Sequence, residues 1–157
     1  MADGYIAGIT GTFIKVDPYT QKTPKLPEPK EPKQQVAVES IVELVQRVYT
    51  DRVLTHLGHW ATGSYAVHMA LESFYSDVID PLDDLVEDYQ AAFGKMPKVE
   101  FKKFETEGDC LPCLKETVKW INKNRKKICR DVTALENILD EISGVYLKAI
   151  YKLENLH

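Results

Sequence analysis

From Val38 to Leu153 apolar residues recur every three or four positions in four long blocks, and that period confines most of the chain to helices. The first block, Ile41, Val45, Val48, Leu54, Leu57 and Trp60, closes at Gly63 and predicts a helix over roughly 37 to 61. The second runs from Tyr65 through Leu71, Phe74, Val78, Leu82, Leu85 and Tyr89 to Phe93, a rod of about 30 residues ending at Gly94. Pro81 lies inside it and removes one backbone hydrogen bond, so a bend near Asp80 is expected, not an end. A third helix is expected over 111–130, with Leu114, Val118, Ile121 and Ile128 inward and a basic outer face from Lys119 to Lys127. The fourth is expected over 134–153, carrying Leu135, Ile138, Ile142, Tyr146, Ala149 and Leu153, with Thr133 as N-cap and Glu136 closing a capping box. Residues 95–110 read as a long crossover between the second and third helices. Short, long and short connections make the domain over 36–157 an all-α four-helix bundle whose crossover returns along its axis.

Residues 1–35 differ. Ile6 to Val16 is β-prone and punctuated by glycine, and Pro24, Pro27, Pro29 and Pro32 crowd the stretch after it, which predicts an extended N-terminal arm and a stiff linker. Five lysines against four acids leave the arm nearly neutral, so a solvated or protein-docked tail fits it better than a nucleic-acid arm. The whole chain, 157 residues with 44% hydrophobic, can bury one core. Its formal net charge of −4 supplies no positive field for phosphate backbones. No stretch approaches the roughly 20 apolar residues of a membrane span, and the N-terminus has no signal-peptide pattern. A cytoplasmic location is the default expectation. Cys110, Cys113 and Cys129 cannot all pair within one chain, which suits a reducing compartment.

Unusual side chains gather where the first two helices meet. His56, His59 and Trp60 end the first helix, and His68, Glu72, Asp83 and Glu87 follow along the second. His68 with Glu72, and Asp83 with Glu87, are i and i+4 pairs, each on one helical face and able to close on a common ion. Imidazole with carboxylate suits iron, manganese or zinc better than magnesium or calcium. The plainer reading is a solvated acidic face and a histidine satisfied by a carbonyl.

The order of these residues resembles the Dps mini-ferritins. That family carries a His-Trp pair ending the first helix, a short glycine-containing loop, a histidine opening the second helix, an acid one turn later, an Asp fifteen residues after that histidine and a Glu four further on. His59-Trp60, Gly63, His68, Glu72, Asp83 and Glu87 follow that order, and the last four keep its spacing. Ala92-Phe93-Gly94-Lys95-Met96-Pro97 resembles the family's end of the second helix, and Asp131-Val132-Thr133-Ala134 with Ile142-Ser143 its entry into the last. The resemblance covers roughly 38–155. His59 and His68 are nine residues apart where the family usually has twelve. His56 stands at twelve but lacks the following Trp, so either histidine is a candidate first ligand. The resemblance implies a ferritin-like fold and an iron site of His59, His68, Glu72, Asp83 and Glu87, with the histidines from one subunit and the acid pair from its two-fold partner. It further implies Fe(II) oxidation by peroxide or oxygen, and iron storage in a homo-oligomeric shell, dodecameric in the family.

Three other features draw weaker expectations. Cys110-Leu111-Pro112-Cys113 looks like a redox or zinc half-site without the βαβ setting or further ligands it would need, so a structural or incidental role is expected. Lys119, Lys123, Arg125, Lys126, Lys127 and Arg130 could meet DNA phosphates, although a solvated face explains them equally. Glu154-Asn155-Leu156-His157 is the sole Glu-x-x-His string and sits at the chain end. Against the ferroxidase stands a different class: a non-catalytic ferritin-like scaffold or adaptor whose arm docks on a larger assembly such as a phage particle.

Overall fold

The computed structural model describes Tyr5–Ala7, Phe13–Lys15 and residues 32–101 and 108–156. Two units divide the chain, Met1–Lys30 and Glu31–His157. The first holds strands β1 (Tyr5–Ala7) and β2 (Phe13–Lys15), paired antiparallel with Ile6 opposite Ile14. The Pro-rich linker falls outside the described residues as far as 31, and its last proline, Pro32, opens the first helix.

The second unit contains α1 (Pro32–Ala61), α2 (Tyr65–Asp77), α3 (Ile79–Phe93), α4 (Cys110–Cys129) and α5 (Thr133–Asn155). α1 starts five residues before the position expected from periodicity, because proline at a first helical position loses no bond it would otherwise make. α2 and α3 are the long second rod, interrupted at Val78, which stays right-handed at φ −83° and ψ −18°. Pro81 has no N–H for the Asp77 carbonyl, so the rod bends and continues. α5 corrects the expected cap: Thr133 is already helical, Val132 is the N-cap without a side-chain bond, and the Glu136 N–H donates to the Val132 carbonyl at 3.1 Å.

α1 packs on α2 and α4, and α5 packs on α2, α3 and α4, so the bent rod and α4 lie across a diagonal. The Cys110 thiol reaches the Leu54 carbonyl, which places the start of α4 beside the end of α1. At the other end the Arg130 guanidinium lies 4.4 Å over the Phe93 ring. The order is therefore up, down, down, up, with residues 94–109 as the crossover. Phe74, Leu85, Leu114, Ile121, Leu139 and Tyr146 fill the centre, and Met96 and Val99 of the crossover pack against it. Two residues of the first stripe turn outward: Leu57 and Trp60 are 41% and 68% exposed. Leu57 is nine residues beyond Val48, half a revolution from the buried line at 100° per residue, and Thr55 and His59 take the inward positions instead. Among the described residues no helix is long and apolar enough to cross a membrane.

Candidate metal centre

A three-residue connection, Thr62-Gly63-Ser64, turns α1 back into α2. The Thr62 N–H closes on the Gly58 carbonyl, the Ser64 hydroxyl caps α2 by accepting from the Val67 N–H, and the His68 N–H donates to the Ser64 carbonyl. This tight hairpin sets the last turn of α1 against the first turn of α2, so nine residues of separation bring His59 and His68 face to face.

Their rings stack with centroids 3.7 Å apart at 27°. His59 Nδ1 lies 3.1 Å from the His68 carbonyl oxygen, and His68 Nδ1 lies 3.1 Å from the His59 carbonyl oxygen. A carbonyl only accepts, so each Nδ1 carries a hydrogen, and the tautomer this selects has its lone pair on Nε2. Metal-bound histidines are oriented in this way, with the ring nitrogen away from the metal donating to a carbonyl. The same bonds also satisfy the His59 carbonyl, one of those left open at the end of α1.

Glu72, one turn beyond His68, completes a cluster in which one ligand-capable atom from each of His59, His68 and Glu72 lies within 4.8 Å of the others. His59 is buried, and the other two are half-buried. Among the described residues the Glu72 carboxylate makes no side-chain hydrogen bond or ion pair. His56 faces elsewhere, stacked on Tyr75 at 4.2 Å and 26° and touching Trp60. Asp83 and Glu87 lie exposed on α3 and are not brought into the cluster within the chain. His157 lies outside the described residues, and Glu154 is ion-paired with Lys115.

The cysteines are free. Burial pushes the Cys110 thiol up to about 11 and the Cys129 thiol likewise to about 11, so both hold their protons at neutral pH and are weak nucleophiles. Cys110 and Cys129 occupy opposite ends of α4, a rod of about 30 Å, and cannot share an ion.

One buried polar group escaped the sequence. Asp51 is 5% exposed and accepts from the Tyr146 hydroxyl at 2.8 Å. Burial pushes its carboxyl up, while bonding to Thr117 and Tyr146 and the charge of Arg47 pull it down. Its signal was present: position 51 continues the line of Val48 and Leu54, where an acid in a core slot requires partners from other helices.

Residues 59–153 match the model of a family described as a family of unknown function, DUF5856. The matched segment opens at His59 and takes in His68, Glu72 and the three helical rods that follow. No curated protein and no solved structure matches the chain.

Proposed function

We propose that this chain, which belongs to the DUF5856 family of unknown function, is an iron-binding protein of ferritin-like architecture that oxidises Fe(II) and removes it from solution. The observation that carries this reading is Glu72, a half-buried carboxylate without a side-chain partner among the described residues, beside two imidazoles whose Nδ1 atoms are both committed to carbonyls. Two histidines and one carboxylate with open positions form a donor set typical of non-haem Fe(II), and zinc is its main competitor. When bound, iron would supply one-electron reduction of oxygen or peroxide. The residues themselves hold the geometry: the reciprocal carbonyl bonds fix both rings, and Glu72 adds a negative charge that offsets the cation. Assembly into a homo-oligomer, and storage within it, belong to the same reading through the resemblance to Dps.

The competing role of the His pair is a clasp that ends the hairpin. Anaerobic Fe(II) titration followed by oxygen or peroxide separates the two in the parent protein, His68→Ala and Glu72→Gln. Glu72→Gln leaves both clasp bonds intact, so a loss of at least about ten-fold in metal affinity at unchanged thermal stability supports a metal site. Oxidation no faster than in buffer ends the ferroxidase reading. Tight zinc binding without iron oxidation keeps the site and changes its metal.

A second reading, a scaffold docked by its arm on a larger assembly such as a phage particle, is favoured by the separate unit holding β1 and β2. Two strands of three residues are marginal alone and gain stability by pairing with another sheet. Retention of the same partners after deletion of residues 1–30 removes this reading.

A further inference from the structure

The charges of α3 and α4 are sorted by sign, and the fold keeps the two sets apart. α3 exposes Asp80, Asp84, Glu87 and Asp88 along one face; α4 exposes Lys119, Lys123, Lys126 and Lys127 along another. Counted from the first member, both sets sit at offsets of 4, 7 and 8 residues, so each forms a stripe about 12 Å long with the same geometry. Among the described residues none of the eight forms an ion pair with another side chain. Lys127 does donate to the Asn124 side chain at 3.1 Å. Arg125 of the same helix is paired with Asp140, so a cation with a neighbouring acid in the fold uses it.

Because α3 and α4 lie across a diagonal of the bundle, these stripes face away from each other. They also run in the same direction. Arg130 over Phe93 sets the relative height of the two helices, numbers differing by 37, whereas the matching charges differ by 39. Two residues correspond to about 3 Å along the axis. A second copy placed alongside, in the same orientation and nearly level, therefore sets its lysine stripe against the acidic stripe of the first.

An apolar hollow adjoins the acidic stripe. It has a volume of about 130 Å³ and is walled by α1, α3 and the crossover, including Val45, Val86, Met96 and Val99, with Asp83 its one charged lining residue. A lysine suits that chemistry, since its stem can cover apolar surface while the ammonium meets a carboxylate.

We propose that α3 and α4 form the two halves of a head-to-tail contact between copies of this chain, acidic stripe to basic stripe. Such a contact is heterologous, so it builds a ring or a row according to the rotation between neighbours. It occupies Asp83 and Glu87 with lysines of a neighbour and does not involve His59, His68 or Glu72.

The test is the mass of the full chain by sedimentation velocity in chelator-treated buffer, so that metal binding cannot influence it. The parent protein is expected to self-associate at low salt, with the association constant falling at least about ten-fold between 0.05 and 0.5 M NaCl. Reversal of the acidic stripe (Asp80→Lys, Asp84→Lys, Asp88→Lys) and of the basic stripe (Lys119→Glu, Lys123→Glu, Lys126→Glu) each gives a monomer, and mixing the two restores association. A parent monomeric at all concentrations, single reversals that still associate, or a mixture that stays monomeric overturns the proposal. Retention of duplex DNA by the lysine stripe with no change of protein mass overturns it as well and assigns the stripe to a polyanion. All substituted positions are exposed; if circular dichroism shows a reversal variant unfolded, the milder Asp→Asn and Lys→Gln sets take its place with weakened association expected, and unweakened association overturns the proposal.

Discussion

Asp51 holds its proton more tightly in the folded chain than in the unfolded one, because desolvation outweighs its hydrogen bonds. A raised native pKa adds stability below the ordinary value near 3.8, and that contribution is lost as the pH rises through the raised value. Asp51→Asn keeps an acceptor for Tyr146 and does not titrate. Its unfolding free energy relative to the parent should therefore rise as the pH is raised above about 4, read from urea midpoints at several values. A difference that stays flat with pH contradicts the assignment. Tyr89 presents the opposite situation: its ring is fully buried and its hydroxyl has no partner among the described residues. Tyr89→Phe removes an unsatisfied group at constant shape and should stabilise by about 1 kcal/mol, measured by the same titration.

Between elements, the close approach of α1 and α4 depends on a missing side chain. A Cβ at Gly58 would stand 2.9 Å from the Cys110 sulfur and 3.3 Å from Leu71 Cδ1, so one of them must move. Overpacking of this kind costs about 1–3 kcal/mol, more than the roughly 1 kcal/mol alanine gains over glycine in a helix. Gly58→Ala should lower the unfolding midpoint, and in a Cys110→Ala background the same change should raise it. A thermodynamic cycle in which the two changes simply add would show that the helices do not meet there. The kink between α2 and α3 is an element whose cause was legible, since Pro81 could only bend a rod whose apolar period continued beyond it. Its neighbour α5 was less legible, because Thr133 and Val132 differ as caps only through backbone angles that the sequence does not carry.

For the molecule as a whole, the described core comes from the helices and the crossover after Lys30. Deletion of residues 1–30 should leave the thermal midpoint of the helical unit unchanged within about 2 °C, followed by circular dichroism at 222 nm. A large drop would mean that the first unit contributes to the core. The diagonal placement of the bent rod and α4 is also a property of the whole, and it alone turns two charged helix faces into opposite sides of one body.

The sequence by itself determined the helices, their approximate ends, the bend and the candidate ligands, because a period of 3.6 and the positions of proline and glycine act locally. It did not determine which ligands meet. His59 and His56 differ by less than one turn, and only the tight Thr62-Gly63-Ser64 hairpin sets His59 against His68 and Glu72 while His56 stacks on Tyr75. Nor did it place Asp51 in the core or turn Leu57 and Trp60 outward. Those outcomes follow from the angle at which each helix faces its neighbours, which is fixed by side-chain packing between segments distant in the chain.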